Sequence, residues 1–222
     1  WFPFCRPMEE IGAPSGDGGG VSFAHYDYLG LGHDPRVRAA AQTATLEIGV
    51  GAGASRLVGG ARAIHRTLES EFATFLGTED ALALVSGYGT NVGLVSHLLT
   101  KDDLVIADEA SHNSIMTGME LSRAHAMTFR HNDLDHLACL LKQTRAKHPR
   151  LLVAVEGLYS MDGDVPDLPK LLALCRSYDC WLMIDEAHSI GVLGASGRGI
   201  TEHFGIPASE VDLIVGTLSK AF

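Results

Sequence analysis

Residues 181–188 read Trp-Leu-Met-Ile-Asp-Glu-Ala-His, in which four residues of apolar character precede two acids, an alanine and an imidazole. A short apolar run bounded by polar residues is typical of a buried strand. An acid that emerges from such a strand, with a histidine three positions later, is the sharpest local feature of the chain. The pattern predicts that Asp185 and His188 stand at the end of a strand, where parallel sheets bind their ligands.

Similar apolar runs recur along the chain and alternate with helical patterns. The predicted strands are 81–85, 104–107, 126–130, 151–155, 181–184 and 213–215. The predicted helices run from Pro35 toward Glu47, over 64–75, after Gly87, from about Ser111, over 133–147 and over 167–178. Short continuous apolar strands separated by helices indicate an α/β fold, with a mostly parallel central sheet and helices on both faces.

Composition and charge favour a globular protein and argue against several partners. The chain has 222 residues, of which 46% are hydrophobic and 20% charged, enough for a sizeable core. Its net charge of −10 argues against nonspecific binding to nucleic acid or anionic lipid. We expect no membrane span and no signal peptide. The cysteines show no metal-ligand spacing, so reduced thiols in a cytoplasmic protein and no metal site are expected; they are Cys5, Cys139, Cys175 and Cys180.

Polar residues that follow the predicted strands are the candidates for a site. Small residues over 86–91 open a helix whose first N–H groups suit an anion, although an ordinary tight turn explains the run as well. His112 lies in the first turn of the next helix, where a histidine is more often a hydrogen-bonding residue than a catalytic one. The loop 156–164 concentrates hydroxyls and carboxylates at the same edge of the sheet.

Lys220 differs from the other lysines, which lie in polar contexts. It follows an apolar strand among small residues, at the same sheet edge as Asp185. A desolvated lysine loses its proton more readily and can form a Schiff base. Together, Lys220 and Asp185 begin to specify a cofactor. Helicases also carry an Asp-Glu-Ala-His run, but that interpretation requires a phosphate loop and a basic surface, and the sequence has neither.

Several separated segments resemble one enzyme family. The lysine segment 217–222 resembles the signature of class II pyridoxal-phosphate enzymes. The segments 28–31, 111–112, 160–164, 185–189, 191–194 and 197–199 resemble the α-oxoamine synthase branch. Within the branch, the segments 55–57, 86–88, 129–132 and 156–160 look most like bacterial serine palmitoyltransferases, and 4–8 and 54–58 look like members found alongside polyketide synthases. Asp27 departs from the asparagine of many relatives, which leaves the substrate open.

The resemblance implies a fold type I transferase that depends on pyridoxal phosphate, and it assigns roles to individual residues. Lys220 would hold the cofactor and act as general base, Asp185 would pair with the pyridine nitrogen, and His188 would bind the phenolic oxygen. His112 would stack on the ring, and these four are the expected catalytic residues. The remaining cofactor contacts would be the phosphate-binding Gly87, Tyr88 and Ser219, the polar contact Ser160, and Thr217, which would order the lysine loop.

The resemblance also implies an organisation. Residues 1–33 are expected to form an irregular N-terminal segment, and residues 34–222 a cofactor-binding large domain. Because the chain opens with Trp1 and stops abruptly at Phe222, we expect it to be part of a larger protein that lacks its C-terminal small domain here.

The implied reaction is a decarboxylative condensation of serine, glycine or alanine with an acyl thioester of coenzyme A or acyl carrier protein. Its product would be an α-amino ketone, made by a biosynthetic, cytoplasmic homodimer. Two alternatives stay open: a pyridoxal-phosphate aminotransferase or amino-acid lyase, and a non-catalytic partner subunit. Subunits of the second kind lose the cofactor lysine, whereas Lys220, Asp185 and His188 are all present.

Overall fold

Five parallel strands form the central sheet of the protein, which the computed structural model describes over residues 25–222. The strands are β1 (Leu104–Asp108), β2 (His125–Phe129), β3 (Leu151–Glu156), β4 (Trp181–Asp185) and β5 (Leu213–Val215). Their order across the sheet is β2-β1-β3-β4-β5, and each neighbouring pair is parallel. The carboxyl ends of all five strands therefore meet at one edge of the sheet.

Helices cover both faces of this sheet, as the sequence predicts. The helices that pack on the sheet are α3 (Gly87–Leu98), α4 (Asn113–Leu121), α5 (Leu134–Thr144), α6 (Leu168–Ser177) and the short α7 (Ile200–His203). Two earlier helices, α1 (Pro35–Ile48) and α2 (Ala63–Leu76), contribute no residue to the core on either face within the described part of the chain. Successive strand residues point to opposite faces, so Val105 packs with α3 and α4, whereas Ile106 packs with α5 and α6. The central strands β1, β3 and β4 are buried on both faces, which explains their continuous apolar runs, whereas the edge strand β2 is largely exposed.

Local signals at the helix ends are confirmed. The Asp34 side chain accepts a hydrogen bond from the Arg36 N–H at 2.8 Å and caps α1, with Pro35 in the first position. Gly77 ends α2 with φ 80°, a left-handed conformation that glycine adopts without steric cost. The helix predicted over 133–147 is α5 followed by a short 3-10 turn over Arg145–Lys147.

The strand predicted over 81–85 is wrong. These residues pair with no strand among residues 25–222, and the Leu82 and Val85 side chains are largely exposed. Side chains satisfy the backbone of Ala83 instead, because its N–H donates to Glu69 Oε1 at 2.8 Å and its carbonyl accepts from Arg56 Nη1 at 3.0 Å. An apolar run indicates a strand only where a neighbouring strand supplies hydrogen bonds.

The expected N-terminal segment lies mostly outside the described residues, as does Cys5. Residues 25–33 contain a turn and a short 3-10 helix over Leu31–His33. Within residues 25–222, no helix has the length and apolar character that crossing a membrane requires. The same residues contain no cluster of three or more side chains suited to a metal ion. Cys139, Cys175 and Cys180 are free thiols.

Candidate active site

Asp185, His188 and Lys220 meet at the carboxyl edge of the sheet. Asp185 is the last residue of β4 and is buried, and His188 follows it in a turn. Lys220 comes after β5, and its Nζ lies 2.8 Å from His188 Nε2. Burial lowers the pKa of Lys220, although the nearby Asp185 and Glu156 carboxyls oppose that shift. The sheet thus brings together an acid, an imidazole and a readily deprotonated amine.

Two donors hold the Asp185 carboxylate in one orientation. Asn91 Nδ2, on α3, donates to Asp185 Oδ2 at 2.6 Å, and the Ala187 N–H donates to Oδ1 at 3.0 Å. Within residues 25–222, no lysine or arginine forms an ion pair with this buried carboxylate. A buried carboxylate without a cation suits a ligand that brings a positively charged N–H group.

His112 belongs to the same hydrogen-bond network. It is the N-cap of α4, which begins at Asn113, whereas the sequence predicts His112 inside the first turn of a helix from about Ser111. Its Nδ1 accepts from the Ser114 N–H at 3.2 Å and lies 2.7 Å from Ser114 Oγ. Ser114 Oγ in turn accepts from Asn91 Nδ2 at 2.9 Å. His112 and Asp185 are therefore linked through Ser114 and Asn91, neither of which sequence reasoning assigned a role.

Glu156 fixes the backbone of His112 from the neighbouring strand. It ends β3, and its Oε1 accepts the His112 N–H at 2.5 Å. Burial, followed by the charge of Asp185, raises the pKa of Glu156 to about 7. The sequence analysis included Glu156 in a polar loop without a role. The sequence pattern that could have identified Glu156 is the one that identified Asp185, namely an acid directly after an apolar run.

The start of α3 lies directly beside the lysine loop. Among residues 25–222, the Gly87 and Tyr88 N–H groups have no hydrogen-bond acceptor, and both point from a helix N-terminus. A side chain at Gly87 would meet Thr217 Cβ at 3.3 Å, so glycine permits this close approach. Thr217 Oγ1 lies 2.8 Å from Ser219 Oγ. Free N–H groups beside two hydroxyls suit an anion such as a phosphate.

Tyr28 also belongs to the site, although the sequence analysis gave this residue no role of its own. Its hydroxyl lies 2.7 Å from His188 Nδ1, so His188 bridges Tyr28 and Lys220. Burial and the positive charge of Lys220 lower the pKa of His188, which favours the neutral ring. A neutral ring donates one of these hydrogen bonds and accepts the other. The sequence signal for Tyr28 is the Tyr-Leu-Gly-Leu run over 28–31, which resembles a family motif but assigns no role to the tyrosine itself.

Two cavities of about 400 Å³ each flank His188 and Lys220. Ser160 lines the first cavity together with Tyr28 and His188, and Lys220 lines the second together with Ser219. Phe222 packs edge-on against Phe72 and Phe75 of α2, which anchors the segment that follows Lys220. The structure therefore gathers Gly87, Asp185, His188, Thr217, Ser219 and Lys220 at one edge, with Tyr88 and His112 in edge contact beside them. Ser160 faces the adjoining cavity.

Comparisons with known proteins agree with this arrangement. The family described as aminotransferase class I and II matches residues 19–222. The chain is 44% identical over 199 residues to a putative 8-amino-7-oxononanoate synthase of Desulfovibrio desulfuricans, covering 90% of this chain and 51% of that protein. It is 46% identical over 201 residues to 8-amino-7-oxononanoate synthase of Methylococcus capsulatus, with the same coverage of both.

Solved structures show the same likeness. Serine palmitoyltransferase from S. paucimobilis with bound PLP–myriocin aldimine matches with a TM-score of 0.85 and 36% identity, over 89% of this chain and 49% of that one. 8-Amino-7-oxononanoate synthase from Francisella tularensis matches with a TM-score of 0.76 and 29% identity, over 90% of this chain and 54% of that one. The chain spans about half the length of the curated relatives it matches. It belongs to the aminotransferase class I and II family, in which its relatives are α-oxoamine synthases.

Proposed function

We propose that the full-length protein condenses an amino acid with an acyl thioester, with loss of carbon dioxide, using pyridoxal phosphate. The observation that supports this proposal most is that Lys220, His188 and Asp185 meet at one edge of the sheet, near the start of α3 and the Ser219 hydroxyl. In the overall reaction the α-carbon bonds to the acyl carbonyl carbon, the thiol leaves with a proton, and the carboxyl group departs as carbon dioxide. The product is an α-amino ketone.

The residues present fit pyridoxal phosphate at each of its polar groups. The free N–H groups of Gly87 and Tyr88, with the Ser219 hydroxyl, would hold the phosphate. Asp185, which has no cation partner in the described part of the chain, would pair with the protonated ring nitrogen. Lys220, whose pKa burial lowers, would anchor the cofactor through Nζ.

Once bound, pyridoxal phosphate supplies an electron sink that stabilises negative charge on the amino-acid α-carbon. Asp185 would strengthen that sink by keeping the ring nitrogen protonated. Lys220 Nζ, as a free amine, would take the α-proton. His188, held between Tyr28 and Lys220, would orient the amine and contact the phenolic oxygen.

Three further residues complete the proposed contacts. His112 would stack on the ring, in an orientation fixed by Glu156 and Ser114. Ser160 would add a polar contact from the wall of the adjoining cavity. Thr217 would order the lysine loop through its contact with the Ser219 hydroxyl.

The cofactor assignment is tested by trapping. We would reduce the full-length protein with borohydride in the presence of pyridoxal phosphate and map the modified peptide. The expected result is cofactor on Lys220, unchanged in Lys170→Ala, which removes an exposed lysine paired with Asp167. A well-folded protein with unmodified Lys220 would instead be a non-catalytic partner subunit.

The reaction assignment is tested by substrate dependence. An aminotransferase or amino-acid lyase would use the same lysine and aspartate, so cofactor binding alone does not separate these reactions. We expect carbon dioxide release from serine, glycine or alanine only when an acyl thioester of coenzyme A or acyl carrier protein is added. Release without a thioester, or amino transfer to a keto acid, would replace the condensation with one of the alternatives.

We also propose that the full-length protein is a homodimer of the cytoplasm. Apolar side chains at Leu57, Val58 and Val85 are almost fully exposed in the single chain, which suits burial against a second copy. The free thiols of Cys175 and Cys180 suit a reducing compartment. Sedimentation of the purified protein and fractionation of the cells that make it test the two statements separately.

A further inference from the structure

An imidazole bridges two carboxylates beneath the loop that follows β3. His131 Nδ1 lies 2.9 Å from Asp108 Oδ1, and His131 Nε2 lies 3.0 Å from Asp164 Oδ2. Asp108 ends β1 and is completely buried, whereas Asp164 closes the loop over residues 157–164. The bridge thus ties this loop to the rigid sheet.

Both ring nitrogens of His131 can donate here only if the ring is protonated. An ionised carboxylate accepts hydrogen bonds but donates none, and a neutral imidazole has a single N–H. Burial lowers the pKa of His131, but the hydrogen bonds to Asp108 and Asp164 and their charges outweigh it and raise the pKa overall. The imidazolium form therefore fits the contacts in the structure.

Neighbouring groups reinforce the same bridge. Asn132, in a left-handed turn with φ 53°, donates its N–H to Asp108 Oδ2 at 2.8 Å and its Nδ2 to Asp164 Oδ2 at 2.6 Å. The Tyr159 ring packs edge-on to His131, with centroids 4.5 Å apart. The His131 N–H donates to Glu109 Oε1 at 3.2 Å. The groups that face the ring are thus acidic or neutral, and no second cation among residues 25–222 joins them.

The far side of the tied loop forms a wall of the cavity beside His188. Tyr159 donates its N–H to the Asp164 carbonyl at 3.0 Å, and the Gly163 N–H donates to the Tyr159 carbonyl at 2.8 Å, so the loop closes on itself. Leu158, Ser160 and Gly163 of this loop line that cavity. Any loosening at Asp164 is therefore transmitted to Ser160.

We propose that His131 is a positioning residue, which clamps Asp108 to Asp164 and thereby holds Ser160 at the wall of the cavity beside His188. The inference rests on the proposed function only in treating that cavity as part of the substrate site. The clamp is present below the ordinary histidine pKa of about 6.5 and is lost as the pH rises through the raised pKa. Above it, one hydrogen bond disappears and two carboxylates face each other.

Hydrogen exchange on the full-length protein tests the clamp without any reaction. We would measure protection factors of peptides over 157–164 between about pH 6 and pH 9, corrected for the intrinsic pH dependence of exchange. The wild type should lose protection in this loop by about tenfold across the range, since one charge-assisted hydrogen bond is lost. Constant protection in the wild type would overturn the proposal, and this measurement needs no variant.

Variants then assign the pH dependence to His131. His131→Gln, which is neutral at every pH, should show low protection over 157–164 throughout and no pH dependence. The matched control is His203→Gln, which changes an exposed histidine of α7 and should behave as the wild type. A wild-type profile in His131→Gln would also overturn the proposal. Borohydride trapping on Lys220 is run in parallel, so that failure of the cofactor assignment is seen separately.

Discussion

The buried side-chain amide of Asn91 orients the Asp185 carboxylate, which would pair with the proposed cofactor. Asn91 Nδ2 donates both to Asp185 and to Ser114, and Asn91 itself is almost completely buried. Removing this donor leaves a buried carboxylate oxygen without its partner. The orientation of Asp185 thus depends on a residue 94 positions earlier in the chain.

We expect Asn91→Ala to lower the free energy of unfolding by about 1–3 kcal/mol, the usual penalty for leaving a buried polar group unsatisfied. It should also weaken the binding of pyridoxal phosphate, because Asp185 is no longer held. Urea unfolding of the cofactor-free full-length protein measures the first effect, and titration with the cofactor measures the second. His97→Ala, at an exposed position of the same helix, should change the stability by no more than about 0.5 kcal/mol. Equal stability of the two variants would contradict the argument.

The pKa values of Lys220 and Lys170 should lie on opposite sides of the ordinary lysine value. Burial lowers the pKa of Lys220, whereas the Asp167 carboxylate raises the pKa of the exposed Lys170. Labelling of the cofactor-free full-length protein with an amine reagent over a range of pH, followed by peptide mapping, gives a midpoint for each lysine. The midpoint of Lys220 should lie below that of Lys170. Coincident midpoints would show that the site does not favour the free amine.

Residues at strand ends could be assigned to the site from the sequence, and residues that act through them could not. Asp185 and Lys220 follow apolar runs, and parallel topology alone brings such residues to one edge. Asn91 and Ser114 lie inside helices, and only the packing of α3 against α4 directs them to Asp185 and His112. The roles of His188 and His112 came from family resemblance, since a lone histidine carries little information.

At the scale of elements, the mistaken strand shows the limit of local pattern. Five of the six predicted strands form, because each finds a parallel neighbour in the sheet. Residues 81–85 have the same composition but no neighbour among residues 25–222, and the side chains of Arg56 and Glu69 satisfy Ala83 instead. A hydrophobic pattern shows that a segment can form a strand, and the presence of a neighbouring strand decides whether it does.

The contact between α3 and α4 should be sensitive to one methyl group. A Cβ built at Gly118 would lie 2.8 Å from Val95 Cβ and 3.2 Å from the Asn91 carbonyl, neither of which can move alone. Gly118→Ala should therefore destabilise the full-length protein by about 1–3 kcal/mol, as overpacking does. Gly93→Ala on the same helix pair meets nothing within 4 Å and should be neutral or stabilising by up to about 1 kcal/mol. Thermal unfolding measures the stability of both variants. If Gly93→Ala were less stable than Gly118→Ala, the two helices would pack differently from the structure.

At the scale of the whole molecule, the almost fully exposed side chains of Leu57, Val58 and Val85 mark the surface that we expect to meet a second copy. Leu57 is fully exposed in the single chain. Leu57→Glu in the full-length protein should shift the dimer toward monomer, because a charge would have to be buried at the contact. Leu121→Glu, which changes a residue exposed at the end of α4, serves as control. Sedimentation velocity gives the result, and an unchanged dimer in Leu57→Glu would place the interface elsewhere.

The strand order β2-β1-β3-β4-β5 has a consequence for how the protein is made. Since β1 and β2 are neighbours, and β3, β4 and β5 follow outward from β1 in chain order, we expect β1 and β2 to pair first during synthesis and the later strands to add one after another to the same edge. Each new strand meets a template that is already formed, so assembly can keep pace with synthesis. Because Lys220 follows β5, we expect the nascent chain to gain its proposed attachment point for the cofactor only after strands β1 to β5 have been made.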